Sequence, residues 1–469
     1  MADHVLLPDE VVEPPRPQPR GQRREVVKTP VRCVGEEIAH GGKYAHAMAT
    51  APVRDEATEL LQGLLRANTV NPPGNETLAA ELLRAYLEDA GVECELYAKV
   101  PERANLVARI PGRGGPTLAL ISHTDTVRAD PEEWTLDPWS GELRDGEIWG
   151  RGALDMKSHV AAAAVAVATL AREGFVPAGD LIFVASADEE VGEDFGLSWL
   201  CANHPDAVRA DYCVNEGGGD RLVINGRPAY LCGTAEKMSS PFVLRVHGRS
   251  GHASMPGIAD NALVRAARLI QRLAEYKPKT RALPEADAFL RLVGTSDPNE
   301  LERPLRAVVE PMLSHAISPT IIEASKQTNV IPALCTVVCD CRLLPGETQA
   351  EAEAEIRAAL GEDNYDFVWV EGVGGTASPL DTPLWRAIES FVDAEEPGAV
   401  LAPIVNAGFT DSHFMRSAFG TVCYGFFPMR AMESEVAAAL IHSADERIPV
   451  DDLELGTRFL MHVARTLGE

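Results

Sequence analysis

This chain has few cysteines and no long apolar run. Its 469 residues include nine cysteines, an odd number, and no CxxC pair. Scattered thiols of this kind favour a reduced cytosolic protein over a disulfide framework. No apolar stretch reaches the roughly 18 residues that a membrane helix needs, and HVAAAAVAVATLA (159–171) is short enough to predict a buried helix. The first residues lack the apolar core of a secretion signal, so we expect a cytoplasmic location.

Positive charge is also scarce. Lysine and arginine number 43 against 70 aspartates and glutamates, which gives a formal net charge of −27. Such a balance argues against nucleic acid or an anionic membrane as a partner. A solvated surface accounts for most of the excess, and bound divalent cations could offset part of it.

The length and the local composition predict more than one domain, because 469 residues exceed what one hydrophobic core usually holds. Residues 1–47 contain PPRPQPR, carry seven acidic and seven basic side chains, and show no apolar period. We predict a disordered extension there. Either this extension is dispensable or Met48 is the true start, with regular structure beginning just after it.

From about residue 55, short apolar strands alternate with helices. NLVARI, TLALISH, LIFVASAD and YCVNEG are the strand segments, and this rhythm predicts an α/β fold with a mostly parallel sheet flanked by helices. His123, Glu189–Glu190 and Glu216 each follow one of these strands. Open α/β sheets bind ligands at the carboxyl ends of their strands, so we expect these residues to meet at one edge.

The pattern changes near residue 238. Strand and helix segments over 238–375 follow a β-α-β-β-α-β order, which predicts a ferredoxin-like α+β arrangement with an irregular insertion at 281–312. The alternation of apolar strands and helices seen before residue 238 resumes after 376. We therefore predict a catalytic domain formed by 48–237 and 376–469, interrupted by an inserted lid or dimerisation domain at 238–375.

His123 and Asp125 form a histidine–aspartate pair in SHTDTV. At positions i and i+2 of a strand both side chains point to one side. An aspartate there can accept the second imidazole N–H and so orient the other nitrogen toward a metal. The pair alone is weak support, since a hydrogen-bonded histidine in a surface turn has the same pattern.

Four acidic residues, at three places in the sequence, are the other candidates for the site. Asp155 in GRGALDMK could bridge two ions through its two oxygens, or simply cap the helix that follows. In the pair Glu189–Glu190, one carboxylate could bind metal while the other acts as a base, although acidic pairs are usually solvated loops. Glu216 precedes three glycines, which allow a tight turn beside a site or a turn without function.

His442, in IHSADE, would more often be an ordinary half-buried histidine when considered alone. Together with the carboxylates, however, it completes a set of hard oxygens and imidazole nitrogens. Such a set favours Zn²⁺ or a similar divalent ion.

In order and context these phrases resemble the co-catalytic zinc amidohydrolases, which include acetylornithine deacetylase, succinyl-diaminopimelate desuccinylase, aminoacylase-1 and the glutamate carboxypeptidases. The resemblance covers about 55–469 and implies two Zn²⁺ per chain, for which Co²⁺ or Mn²⁺ could substitute. It further implies that His123, Asp155 and Glu216 hold one metal. Asp155, Glu190 and His442 would hold the other.

The resemblance also implies the remaining roles. Asp125 would orient His123, and Glu189 would be the general base and acid that moves the proton of the hydrolytic water. The family's cis peptide would fall at Asp155–Met156.

In the second domain, His252 of RSGHASMP resembles a histidine that reaches across a dimer to the substrate carbonyl. Asn329 would donate to the oxyanion, and Arg342 would bind a substrate carboxylate. Gly408 would place backbone near the substrate, although Phe409 departs from the family's GGTD phrase. Without the resemblance, His252 would be a turn histidine and Arg342 a surface salt bridge. The role of His252 implies a homodimer through the inserted domain.

Glutamate at position 216 is a substrate clue, because the resemblance associates glutamate there with deacylases and carboxypeptidases, and aspartate with dipeptidases. We therefore expect cleavage of an N-acyl amino acid or of the C-terminal residue of a small peptide. Arg342 agrees, since such products carry a free α-carboxylate. A metallo-dipeptidase is the alternative, and an inactive metal-stabilised binding protein is a third.

Overall fold

Residues 52–192 and 194–468 are described in a computed structural model of the chain. The segment predicted to be disordered, 1–47, lies outside these ranges. The strands before residue 238 are β1 (Glu93–Ala98), β2 (Ala104–Ile110), β3 (Leu118–His123), β4 (Glu142–Arg144), β5 (Glu147–Trp149), β6 (Leu181–Ser186), β7 (Tyr212–Asn215), β8 (Arg221–Ile224) and β9 (Arg227–Glu236). The later strands are β10 (Met238–Ser239), β11 (Phe242–His247), β12 (Gly251–His252), β13 (Ala316–Glu323), β14 (Val330–Ile331), β15 (Leu334–Leu343), β16 (Tyr365–Trp369), β17 (Val373–Gly374), β18 (Val400–Asn406), β19 (Val422–Gly425) and β20 (Arg447–Pro449).

The helices surround two main sheets. They are α1 (Val53–Arg66), α2 (Thr77–Asp89), α3 (Lys157–Arg172), α4 (Leu197–Asn203), α5 (Pro205–Val208), α6 (Ala262–Glu275), α7 (Pro284–Val293), α8 (Arg303–Leu313), α9 (Gln349–Leu360), α10 (Pro383–Glu395), α11 (Ser412–Phe419), α12 (Ser434–Leu440) and α13 (Val450–Thr466). Among the described residues, no helix is long and apolar enough to cross a membrane.

The first sheet has nine strands in the order β1-β2-β6-β3-β7-β19-β9-β18, with β8 paired to β9. Its centre, β6-β3-β7-β19, is parallel, whereas β1 and β2 are antiparallel. The predicted α/β sheet is therefore confirmed, and its parallel character is concentrated in the strands that carry the candidate site. Strands β18 and β19 come from residue 400 onward. The first sheet is therefore built from chain segments that precede and follow the second sheet in the sequence.

Helices cover both faces of this sheet because both faces of its strands are apolar. Along β3, Leu118 and Leu120 pack into one core with α1, α2, α3, α10 and α13. Ala119 and Ile121 point to the opposite side and pack with α4, α5 and α11. This alternation follows from the two-residue repeat of a strand. Helix α3 is buried along most of its length, as its alanine-rich sequence predicts.

The second sheet is antiparallel and covered on one face. In chain order β11, α6, β13, β15, α9 and β16 give the β-α-β-β-α-β pattern, and the spatial order is β16-β11-β15, with β13 paired to β15. Phe242 and Leu244 of β11 pack with Leu269 of α6 and Ile356 of α9. The ferredoxin-like prediction is confirmed.

The stretch 281–312 differs from its prediction. It forms α7 and α8, and these helices pack against β9 and β18 of the nine-stranded sheet. Phe289 and Met312 join Ala402 and Val405 in that core. The prediction of an irregular insertion within the second domain is thus wrong. Both helices are amphipathic, but an apolar period does not specify which sheet a helix packs against. The domain boundaries themselves remain predictions.

Candidate metal centre

The predicted ligands lie at the carboxyl ends of parallel strands. His123 is the last residue of β3, Glu216 directly follows β7, and Glu189–Glu190 lie just beyond β6. Asp155 precedes α3, and His442 follows α12. The fold brings all six side chains together, although His123 and His442 are far apart in the sequence.

Asp155 lies between the two histidines. Its Oδ1 is 3.1 Å from Nε2 of His123, and its Oδ2 is 3.1 Å from Nε2 of His442. Glu190 Oε2 lies 3.2 Å from the same His442 nitrogen. On the other side, Glu216 Oε1 is 3.8 Å and Glu189 Oε2 is 4.0 Å from His123 Nε2. One oxygen of Asp155 thus faces His123 and the other faces His442, so each oxygen lies beside a different group of potential metal ligands.

This donor set fits divalent cations. Tetrahedral zinc with bonds near 2.0–2.1 Å places neighbouring ligand atoms about 3.3 Å apart. The separations of 3.1–3.2 Å among His123, Asp155, Glu190 and His442 are close to that value, and those from His123 to Glu216 and Glu189 are longer. Glu190 Oε1 is buried and has no hydrogen-bond partner within the described ranges. An unpaired buried carboxylate oxygen is costly, and a cation beside it would offset that cost.

Electrostatics point the same way. Burial and the charge of Asp155 raise the pKa of Glu216 to about 8. Burial and the charge of Glu216 raise the pKa of Glu189 well above its ordinary value. Hydrogen bonds to Asp155 and Glu190 raise the pKa of His442 to about 10. The carboxylates therefore crowd one another and favour positive charge among them.

Comparison with known proteins agrees with this geometry. Residues 119–466 match the sequence profile of peptidase family M20/M25/M40. The chain belongs to this family. It is therefore a metal-dependent hydrolase of amide bonds, and the earlier resemblance is confirmed.

Relatives of this M20 chain include curated enzymes and solved structures. A succinyl-diaminopimelate desuccinylase of Cereibacter sphaeroides is 29% identical over 416 residues, which cover 84% of this chain and 94% of that protein. An N-fatty-acyl-amino acid synthase/hydrolase of Xenopus tropicalis is 27% identical, with 73% of this chain and 71% of that protein covered. An M20 family metallo-carboxypeptidase from Sulfolobus solfataricus superposes with a TM-score of 0.70 at 18% identity, covering 88% of this chain and 99% of that one.

Asp125 of the M20 chain contacts both the histidine and the loop of the predicted base. Nδ1 of His123 is 3.1 Å from the backbone oxygen of Asp125 and 3.4 Å from its Oδ1. The same carboxylate accepts the backbone N–H groups of Glu189 and Glu190 at 3.2 and 3.1 Å. It is fully buried, so it fixes His123 and the loop 189–190 relative to each other.

A buried polar network behind Asp125 has no counterpart in the sequence prediction. Asn71 Nδ2 donates to Asp125 Oδ2 at 2.9 Å and to Asp188 Oδ1 at 2.8 Å. Arg103 Nη2 donates to the same Asp188 oxygen and to Glu76 Oε1. Asp188 has a φ of +62°, directly before the predicted base. The network therefore supports a backbone turn that non-glycine residues seldom adopt.

The loop of Asp155 is held from the other side of the site. Its backbone N–H groups at Gly152, Leu154 and Asp155 all donate to Glu446. Glu446 belongs to the phrase that carries His442, yet nothing in that phrase marks it as a contact of Asp155. The Asp155–Met156 peptide is cis, as the resemblance implies.

His252 lies on a separate two-stranded ribbon, β12-β14, and Asn329 directly precedes β14. His252 is exposed on β12, with Nδ1 2.7 Å from Ser254 Oγ. The backbone N–H of Ala253 donates to the backbone oxygen of Asn329 at 2.9 Å. Among the described residues, the carboxylate–histidine cluster includes neither of them. Their predicted roles remain predictions.

Arg342 is half-buried on β15, and Gly408 is half-buried just after β18. Arg342 donates through Nε and Nη2 to both oxygens of Asp340, two residues earlier on β15. A Cβ added at Gly408 would meet no atom within 4 Å. A Cβ added at Gly374 would lie 2.6 Å from Cβ of Phe409, so Phe409 packs against that glycine. A surface salt bridge was the alternative left open for Arg342, but the sequence did not identify Asp340 as its partner.

Proposed function

We propose that this chain is a dizinc amidohydrolase that cleaves the amide bond of an N-acyl amino acid or releases the C-terminal residue of a small peptide. The observation that carries the proposal is Asp155, whose two oxygens face His123 and His442 at 3.1 Å each. A carboxylate placed in this way suits two metals that share a bridge.

The metal ligands divide into two subsites. His123, Asp155 and Glu216 would hold one ion, and Asp155, Glu190 and His442 the other. Two bound zinc ions would lower the pKa of the hydrolytic water and polarise the scissile carbonyl. Co²⁺ or Mn²⁺ could replace zinc, because nitrogen and carboxylate ligands accept several divalent metals.

Glu189 is the proposed general base and acid. Its Oε2 lies 4.0 Å from His123 Nε2, beside the first subsite but outside both proposed ligand sets. It would take a proton from the attacking water and give it to the leaving nitrogen. Burial and the negative charge of Glu216 raise its pKa while no metal balances that charge.

Residues outside the metal centre would supply substrate contacts. Arg342 would bind the substrate carboxylate in exchange for its contact with Asp340, and Gly408 leaves open space for the substrate beside the backbone. His252 and Asn329 would donate to the developing oxyanion. Because His252 is exposed and outside the cluster of described residues, we propose that it acts in the site of a second subunit.

The proposed homodimer forms through the second sheet. Within the described part of the chain, β13 pairs on one side only, with β15, and it exposes Ile321 and Ile322 at 47% and 48%. Apolar edge strands of this kind are usually covered in folded proteins. A double change of these isoleucines to lysine should give monomers in light scattering and reduce kcat, because His252 would be lost from the site.

The matched control for the dimer is Val223→Lys, which alters a valine that is 58% exposed on β8 of the other sheet. It should leave the mass and the activity unchanged. A parent protein that is monomeric and fully active would contradict the role given to His252.

A substrate panel tests the activity. The zinc-loaded protein should hydrolyse N-acetyl, N-succinyl or longer N-acyl amino acids faster than unprotected dipeptides. The relatives that carry desuccinylase and N-fatty-acyl hydrolase names support this order. Faster turnover of dipeptides would establish the metallo-dipeptidase alternative, and no turnover with bound zinc would favour a binding protein. We further propose that the enzyme is cytoplasmic and requires neither nucleic acid nor a membrane.

A further inference from the structure

Glu446 is a fully buried carboxylate between the two loops that carry Asp155 and His442. Its Oε1 accepts the backbone N–H groups of Leu154 at 2.7 Å and of Asp155 at 3.0 Å. Its Oε2 accepts the N–H of Gly152 at 3.1 Å and Nη1 of Arg151 at 2.6 Å. Four donors from one loop thus converge on a single side chain.

Further contacts join the same two loops. Nη2 of Arg151 donates to the backbone oxygen of Ser443, next to His442, at 3.0 Å. The backbone N–H of Gly150 donates to the backbone oxygen of Glu446 at 3.0 Å. Strands β5 and β20 pair just beyond these contacts. The loop of Asp155 is therefore fixed to the loop of His442 across almost three hundred residues of sequence.

The chemistry of these contacts requires a carboxylate. An ionised carboxylate only accepts hydrogen bonds and offers two oxygens, whereas an amide offers one oxygen and an NH₂ group. In a glutamine at this position, the NH₂ group would face either two backbone donors or Arg151 and Gly152. Burying a charge is costly unless it is paired and hydrogen-bonded, and both conditions are met here.

We propose that Glu446 is a positioning residue that sets the affinity of the metal subsite shared by Asp155 and His442. It fixes the backbone of Asp155 through that residue's own N–H group, and it holds this backbone at a constant distance from His442. The inference rests on the proposed metal centre. It adds a determinant of metal affinity that contacts neither metal nor substrate.

The chain contains a matched control in Asp452. This aspartate is also buried, and it accepts the backbone N–H groups of Arg430, Ala431 and Met432 at 2.7, 2.8 and 2.8 Å. The loop that it anchors carries none of the proposed ligands. Asp452→Asn therefore removes a comparable anchor without touching the metal centre.

The test titrates Zn²⁺ into three metal-free proteins, the parent, Glu446→Gln and Asp452→Asn, and measures binding by calorimetry. Thermal unfolding of each protein is recorded in parallel. The parent should bind two ions. Glu446→Gln should bind one of the two ions about 10- to 100-fold less tightly, as for other residues that orient metal ligands. Asp452→Asn should lower Tm but keep the affinities of the parent.

Two zinc ions bound by Glu446→Gln with the affinities of the parent would overturn the inference and leave the metal centre intact. A parent that binds no zinc would overturn the metal centre itself. If Glu446→Gln does not fold, Glu446→Asp serves in its place, since aspartate keeps the charge but is one methylene shorter and draws back from the N–H groups of Gly152, Leu154 and Asp155. This variant should bind one of the two ions less tightly, and affinities equal to those of the parent would again overturn the inference.

Discussion

At the scale of single residues, the site is defined by how carboxylates are shared. Asp155 offers one oxygen to each histidine, and Asp125 contacts both His123 and the loop of Glu189. Glu190 has a buried oxygen with no partner in the described part of the chain. The carboxylates gathered at the site repel one another, and a cation among them would offset that repulsion.

Replacing Glu189 with glutamine tests the assigned base. The amide keeps the shape of the side chain but cannot take up a proton, so kcat should fall by about 10²- to 10⁴-fold. Zinc content by elemental analysis should stay at two per chain, because Glu189 is not among the proposed ligands. Glu102→Gln changes an exposed glutamate and should have no effect. A Glu189→Gln enzyme with near-normal kcat would refute the assignment.

Asn71 gives a second prediction at this scale. Asn71→Ala removes two buried hydrogen bonds, to Asp125 and Asp188, at a cost of about 1–3 kcal/mol in the free energy of unfolding. Because these residues hold the loop of Glu189, kcat should also fall by about 10-fold or more. Urea unfolding and steady-state kinetics measure both effects. Asn68→Ala, which changes an exposed asparagine, is the control, and equal kcat values for the two variants would contradict the prediction.

Local phrases made part of the site predictable. His123, Asp155 and His442 belong to sequence phrases whose order resembles a family, and the fold brings them together. Asn71 and Arg103 have no such phrase, because their contribution comes only from contacts made after folding. Arg342 was predicted without its partner Asp340, since a strand places residues i and i+2 on one side but does not specify whether they pair.

At the scale of elements, the strands that carry the site were the most predictable part. β3 and β6 are continuous apolar runs, which is typical of strands buried on both faces. The antiparallel partners β1 and β2 could not be inferred, because strand direction depends on connections and not on residue type. The two-residue strands β10, β12, β14 and β17 are too short to leave a periodic signal.

Lys237 gives a prediction at the junction between β9 and β10. Its Nζ donates to the Ser314 backbone oxygen at 2.8 Å, and burial lowers its pKa from an ordinary 10.5 to about 8. Between these two values the unfolded chain binds the extra proton, so the free energy of unfolding should rise with pH. The rise should be on the order of 2–3 kcal/mol from pH 8 to 10.5.

Urea unfolding of the parent and of Lys237→Met at pH 7.5 and 10.5 measures this effect. The stability of the parent relative to the variant should increase with pH. Lys279→Met, which changes a lysine side chain that is 77% exposed, should show no pH-dependent difference from the parent. A gap between the parent and Lys237→Met that is the same at both pH values would contradict the lowered pKa.

At the scale of the whole molecule, the segment that forms the second sheet is inserted between two parts of the first. Residues far apart in the sequence therefore meet in one site. β18 and β19, from beyond residue 400, pair with β9 and β7, so the first sheet is completed only after the insertion. The sequence predicted that the strand–helix alternation of the first domain resumes after 376. It did not predict that α7 and α8 would pack back onto that sheet, because packing partners are not encoded in local periodicity.

The amino-terminal segment gives the prediction at this scale. Residues 1–47 show no apolar period and no net charge, so they should add little to the core. Deleting them should leave Tm and kcat/KM within error of the full-length values. A large loss of Tm in the truncated protein would show that the segment belongs to the folded structure.

The central claim is that two metals share Asp155. Anomalous scattering from crystals of the zinc-loaded protein, collected at the zinc edge, tests it directly. We predict two peaks about 3.5–4 Å apart, one among His123, Asp155 and Glu216, and the other among Asp155, Glu190 and His442. A single peak, or no peak beside Asp155, would contradict the account.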